Sequence, residues 1–177
     1  QNLFCWSKIT FNKEVSKVEI RKAKLDEAQE ILTIYKSLIG YEGCLWDDYY
    51  PSIDVVEDDI KNDSLYLIEI NNLIVAVAHA GIDEELFKFE GFSKDMKNPR
   101  DLARVAVRKE YQKQGLAKTL IEYIEKDLKS KNVDYMVLTA GKTNQKALRL
   151  YEKLGYRICG TTEALDMEWY CQEKRIG

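Results

Sequence analysis

The sequence predicts an α/β domain, with a mixed and mostly antiparallel central sheet flanked by helices, in the order β-α-α-β-β-β-α-β-α-β-β. Three observations carry this. Short runs rich in Val, Ile, Leu and Tyr alternate with longer segments whose apolar residues recur at helical spacing. Asn71-Asn72, a pair that tolerates the positive φ of a tight turn, joins the runs Leu65 to Ile70 and Leu73 to Ala80 and makes them antiparallel neighbours. From Asp101 to Leu128, a β-branched run (Leu102, Val105, Val107) passes through a polar turn with one glycine. It then becomes a helix with Ala117, Leu120, Ile121, Ile124 and Leu128 on one face.

Taken in order, residues 1 to 14 show no clean period, and 1–17 reads as an N-terminal extension of the same domain. Phe4, Trp6, Ile9 and Phe11 read as an added strand or a packing arm. Val18 begins a short strand, VEIRKAK. Ala28, Ile31, Leu32, Tyr35, Leu38 and Ile39 then trace a helix face that Gly40 ends. After a loop with Trp46, Tyr49, Tyr50 and Pro51, Ser52 caps a short helix from Ile53 to Ile60. The two antiparallel strands follow. The stretch from Gly81 to Pro99, with Glu84, Glu85, Phe87, Phe89 and Phe92, reads as irregular, either a strand extension or a loop beside the site. Past the central strand and helix, Val133 to Thr139 is a buried strand. Asn144 to Leu154 is a helix with Ala147, Leu150 and Leu154 inward, capped by Gly155. Tyr156 to Cys159 and Ala164 to Cys171 supply the last two strands.

With 177 residues, 45% hydrophobic and 32% charged, the chain fits one compact domain over 1–177, without repeats or a linker. A net charge of -3 argues against nucleic acid or an anionic membrane as the main partner, and suits a cationic substrate. No apolar run reaches the ~20 residues that cross a bilayer. Gln1 to Thr10 lacks the pattern of a secretion signal, so a cytoplasmic location is expected. Cys5, Cys44, Cys159 and Cys171 are far apart and the chain has a single histidine, His79, so free thiols and no metal are expected. Asp47, Asp48, Asp54, Glu57, Asp58 and Asp59 crowd one region. They form either a solvated helix face with helix-start carboxylates, or an acidic and aromatic rim that attracts a protonated amine.

A strand, a glycine-bearing loop and a helix in succession leave backbone N–H groups aimed at the loop, a place that binds anions. Gly115 admits a bulky ligand close to the backbone, Ala117 nearly so, and Gln112, Lys113 and Gln114 add donors. A nucleotide-binding P-loop is excluded, because Gly and Lys are not adjacent and Glu110 stands where a second glycine is needed. The plainer reading is a glycine that merely ends a strand before an ordinary helix.

The run Gln112-Lys113-Gln114-Gly115-Leu116-Ala117 has the form Q-x-x-G-x-A, and the run from Asn144 to Tyr156, NQKALRLYEKLGY, has the form N-x-x-A-x-x-L-Y-x-x-x-G-[FY]. With both motifs in their places in the element order, the chain resembles the GNAT superfamily of acetyl-CoA-dependent N-acetyltransferases from Val18 to Cys171. The resemblance implies the GNAT fold and acetyl-CoA as cosubstrate. It implies acetyl transfer to a primary amine of a small molecule or peptide, by direct attack in a ternary complex. Gln112, Lys113, Gln114, Gly115, Leu116, Ala117 and Lys118 would cradle the coenzyme's pyrophosphate. The backbone of Val105, Ala106 and Val107 would pair with pantetheine as another strand, with the Val105 N–H holding the oxyanion, and Asn144 would contact the same arm.

The Tyr151 hydroxyl would lie near the thioester sulfur. A phenol near 10 is a matched acid for a thiol near 8.5, while the competing role for Tyr151 is aromatic packing on an amphipathic helix. The glutamate base of related protein N-terminal acetyltransferases is replaced by Thr139. Asp101 stands where the histone acetyltransferase branch carries its glutamate and is the first candidate base, ahead of Glu90, Glu85, Tyr50 and His79. In relatives the helix-loop-helix region lines the acceptor pocket, which puts Trp46 and Tyr50, with His79, on the substrate side. Cys159 and Cys171 lie outside both motifs, which disfavours a covalent cysteine relay. A non-catalytic coenzyme-A-binding sensor or interaction module is the alternative, kept open by Thr139. The N-terminal arm and the final strands offer a surface for a homodimer.

Overall fold

Seven strands form one sheet in the order β1-β2-β3-β4-β5-β7-β6 in a computed structural model that describes residues 17–164 and 166–177. The strands are β1 (Val18–Lys22), β2 (Leu65–Ile70), β3 (Leu73–Gly81), β4 (Arg100–Val107), β5 (Tyr135–Gly141), β6 (Arg157–Ala164) and β7 (Met167–Arg175). The helices are α1 (Ala28–Lys36), α2 (Ile53–Lys61), α3 (Glu84–Phe87), α4 (Leu116–Ser130) and α5 (Gln145–Lys153). This is the order expected from the sequence, with α3 added. The aromatic run from Phe4 to Phe11, and Cys5, lie outside the described residues.

The β2–β3 hairpin turns where expected: Asn71 and Asn72 take φ of 51° and 65°, the left-handed region that asparagine tolerates. Strand alternation then sorts the core into two faces. Tyr66 and Ile68 of β2 and Met136 and Leu138 of β5 meet Leu120, Ile121 and Ile124 of α4, with Tyr151 and Leu154 from the α5 end. On the other face, Leu65, Leu67 and Val77 pack under α1 and α2 with Ile31, Ile34, Tyr35 and Val56. Val137 and Cys171 continue that face beneath Leu86 and Phe92.

The stretch from Gly81 to Pro99 is a folded cover rather than an irregular loop. Asp83 caps α3, its Oδ1 accepting from the Glu85 and Leu86 amides. The fully buried Glu173 carboxylate accepts from the Ser93 amide at 2.8 Å, and Asp134 accepts from the Lys97 and Asn98 amides. Side-chain-to-backbone bonds of this kind leave no periodic signature in the sequence.

The last two strands are also longer than expected. Gly160 does not end a strand; it lies inside β6, where a Cβ would come within 2.5 Å of the Gly91 Cα. A glycine in a strand signals either a turn or a close backbone approach, and here it is the second. The bend comes later, between Ala164 and Met167.

One feature of the sheet positions everything that follows. All neighbouring strands are antiparallel except β4 and β5, which pair in parallel at only Arg100↔Met136 and Asp101↔Val137. Beyond Asp101, β4 stays with β3 and β5 stays with β7. Two strand edges with unpaired backbone groups therefore flank a slot.

Candidate active site

The slot is opened by a bulge. Val77 pairs with Ala106 and His79 with Ala103, so Ala78 alone faces both Arg104 and Val105. An extra residue of this kind bends a strand and increases its local twist. Arg104 carries it with a φ of 50°. Its side chain is tied down: Nε and Nη2 donate to the two oxygens of Asp59 at 2.9 and 2.8 Å, and Nη1 donates to the Tyr50 hydroxyl at 2.9 Å. Asp59 Oδ1 also lies 2.9 Å from His79 Nδ1. Bidentate charge-assisted bonds are the strong class of hydrogen bond, and they hold the strained residue in place.

At the far end of the slot β4 runs into the loop before α4. Gly115, at φ 82°, is the cap residue of α4, and a Cβ there would meet nothing within 4 Å. Lys113 also has positive φ, 62°. Among the described residues, the amides of 113 to 118 have no backbone partner; the first amide to bond back is Thr119, to the Gly115 carbonyl. Six free donors at a helix N-terminus, with open space over the glycine, make an anion cradle.

The side chains of the loop play different parts. Gln112 is a brace, its Nε2 donating to the Val107 carbonyl at 3.1 Å and its Oε1 accepting from Lys146 of α5 at 3.0 Å. Gln114 donates to the Glu110 carbonyl, Lys118 pairs with Glu122 at 3.7 Å, and Leu116 is buried in the core. Lys113 is exposed and unpaired, the cation nearest the open amides. Ala117 is half-buried in the first turn of the helix.

Across the slot, Asn144 caps α5 by accepting from the Ala147 amide at 3.0 Å and donates to the Gly43 carbonyl at 2.8 Å. The loop between α1 and α2 is thereby strapped over the slot mouth, with Leu45 against Gly141 and Lys109 bonded to the Tyr41 hydroxyl. Trp46 packs edge-on against Tyr35, with ring centroids 5.0 Å apart, on the face of α1. Tyr50 is half exposed and reaches Arg104.

Asp101 of β4 and Tyr151 of α5 are both buried, and neither has a hydrogen-bond partner among the described residues. The Tyr151 ring stands edge-on to Tyr156, with centroids 5.7 Å apart. Burial pushes the Asp101 carboxyl up to about 7, against the pull of Arg104. Burial, and next the Asp101 charge, raise the Tyr151 phenol well above its ordinary value. The carboxyl is thus poised near neutrality and the phenol stays protonated, the states that a general base and a general acid require.

Arg104 and the buried role of Asp59 are features the sequence reading missed. Each left a trace: Arg104 is the one charge inside LARVAV, and Asp59 follows Val56 by three positions on the inner stripe of α2. The other acids of that run behave as surface groups. Asp47 accepts from the Tyr49 and Tyr50 amides, which lower its carboxyl, and Glu57 pairs with Lys61.

A slot between two open strand edges, ending in a ring of free amides, defines a domain that fits a thin ligand ending in a diphosphate, and coenzyme A has that form. The sequence profile of the acetyltransferase (GNAT) family matches residues 27–156, and the chain belongs to that family; it is an acyltransferase. Solved structures share its fold. A GNAT-family acetyltransferase from Streptococcus agalactiae has a TM-score of 0.73 at 20% identity, covering 89% of this chain and 95% of that one. A GNAT-family acetyltransferase from Streptococcus pneumoniae has a TM-score of 0.71 at 20% identity, covering 91% and 100%. The yncA protein of Salmonella typhimurium, solved with its cofactor acetyl-CoA, has a TM-score of 0.71 at 17% identity, covering 91% and 95%. No curated protein sequence matches this chain.

Proposed function

We propose that the protein transfers the acetyl group of acetyl-CoA to a primary amine of a small molecule or peptide, by direct attack in a ternary complex. The observation that supports this reading best is that Asp101 and Tyr151 are both buried without hydrogen-bond partners among the described residues, with the Asp101 charge bearing on the Tyr151 phenol. The free amides of 113 to 118 bind the diphosphate, and the open edge of β4 from Ala103 to Val107 aligns the extended arm as a pairing strand does. When bound, the coenzyme supplies a thioester, an acyl group on a good leaving sulfur.

Asp101, charged above about pH 7, attracts the ammonium form of the acceptor and takes its proton. The freed nitrogen forms the new N–C bond as the C–S bond breaks. Tyr151 gives its proton to the departing sulfur and recovers one from the acylated nitrogen. One proton per turnover leaves through Asp101. Asp83 and Asp59 add negative field around Asp101, which suits a cationic acceptor.

Tyr151→Phe tests the reading, with thiol release measured against a panel of amines and coenzyme binding measured by calorimetry. The expected result is turnover lowered about 100-fold, the scale of one lost general acid, with coenzyme affinity and fold intact. Loss of binding together with unfolding would mean that Tyr151 is a packing residue. Coenzyme binding by the wild type with no thiol release for any amine would leave a binding module.

A further inference from the structure

His79 is the only histidine of the chain, and its surroundings fix which nitrogen carries the proton. Nδ1 faces Asp59 Oδ1 at 2.9 Å and Ser64 Oγ at 3.2 Å. The Ser64 hydroxyl donates to the Asp59 carbonyl at 2.8 Å, so towards the ring it offers only a lone pair. With two acceptors before it, Nδ1 holds the hydrogen, and in the neutral ring the lone pair sits on Nε2.

Nε2 has no hydrogen-bond partner among the described residues and is not one of the buried polar atoms cut off from solvent. Its position follows from Gly81. A Cβ there would lie 2.6 Å from Cε1 and 2.8 Å from Nε2, so the working end of the ring occupies the space that a side chain at 81 would fill. Gly81 is the strand partner of Asp101. Opposed side chains stand about 5 Å apart at Cβ, so Nε2 and the Asp101 carboxyl are within reach of one bridging water.

We propose that His79 relays the proton: Asp101 passes what it takes from the acceptor amine to Nε2, and Nε2 releases it to solvent. Asp59 is the positioning residue that fixes the ring and its tautomer, and the missing side chain of Gly81 makes the room. This rests on the acetyl-transfer reading and adds to it a route for the released proton. The charged and titratable groups facing the ring are Asp59 from α2, Arg104 and Asp101 from β4, and behind them Asp83 and Tyr35. Asp59 is not placed to hand a proton to Nε2, because it faces Nδ1 and both its oxygens are bound by Arg104.

Two measurements decide the matter. Nitrogen NMR of the full chain has one imidazole to follow. The neutral ring is expected to carry its hydrogen on Nδ1, and Asp101→Asn is expected to move the Nε2 resonance measured under identical conditions. An Nε2–H tautomer, or an Nε2 resonance unchanged in Asp101→Asn, overturns the relay without touching the acetyl-transfer reading. In the thiol-release assay, His79→Gln keeps a donor for Asp59 but does not titrate. It is expected to lower kcat about 10-fold or more and to be rescued by added imidazole in proportion to its free base. A wild-type rate in His79→Gln, or a lowered rate that imidazole does not restore, also overturns the relay. Wild-type protein inert to every amine removes the acetyl-transfer reading and the relay with it, which the NMR result alone would not do.

Discussion

Asp101 owes its behaviour to three opposing influences: burial lifts its carboxyl to about 7, the charges of Asp83 and Asp59 add to that, and Arg104 pulls it down. The ordinary carboxyl titrates near 3.9 in the unfolded chain, so the folded state prefers the protonated form. The resulting stabilisation is full below about pH 4 and is lost as pH rises to about 7. Asp101→Asn, which carries no charge, is therefore expected to raise the melting temperature relative to wild type by an amount that grows from pH 5 to pH 8. An equal shift at both would contradict the assignment. The same group acting as base makes wild-type activity climb through about pH 7, while Asp101→Asn stays low throughout. Arg104 is a separate case. Arg104→Met leaves the Asp59 charge buried with the His79 ring as its remaining partner among the described residues, and denaturant unfolding is expected to show a loss of about 3 kcal/mol.

The loop-to-helix element of α4 was legible in the sequence because its parts are local: a glycine at the start, then apolar residues at helical spacing. The backbone role of Val105, Ala106 and Val107 was expected only through the resemblance, and the bulge beside them has no side-chain pattern because it is a slip of backbone register. What betrays it afterwards is Arg104, a charge the strand could not otherwise bury. Gly160 lies just past the strand end expected at Cys159, and its place inside β6 was hidden because the partner that crowds it, Gly91, is far away in the chain. Two glycine substitutions separate these situations. Gly115→Ala forces a side chain into φ 82° over the open amides, and is expected to cost about 1 kcal/mol of stability and to weaken coenzyme binding by calorimetry. Gly160→Ala drives a methyl into the Gly91 backbone and is expected to cost about 3 kcal/mol in denaturant unfolding with coenzyme affinity per folded molecule unchanged.

Across the whole molecule, the element order apart from α3, and the β2–β3 hairpin, could be read from residue spacing, and the two motifs fall on the loop before α4 and on α5, beside the slot. The ties that close the molecule around the slot could not be read, because each joins residues far apart in the chain by one or two polar bonds. Gly43 to Asn144, Gln112 to Lys146 and Ser93 to Glu173 are of this type. Asn144→Ala removes both a helix cap and the strap over the slot mouth. Hydrogen exchange is expected to quicken in residues 41 to 46 and in the first turn of α5, with about 1 kcal/mol lost overall. The sheet's parallel junction has only two paired positions, Arg100↔Met136 and Asp101↔Val137. Under a pulling force or a heat shock this seam is where the domain would part first, and a cosubstrate lying along it would act as mortar between the two halves. Unfolding should then be slower with coenzyme A present than without it, whether or not the coenzyme carries an acyl group.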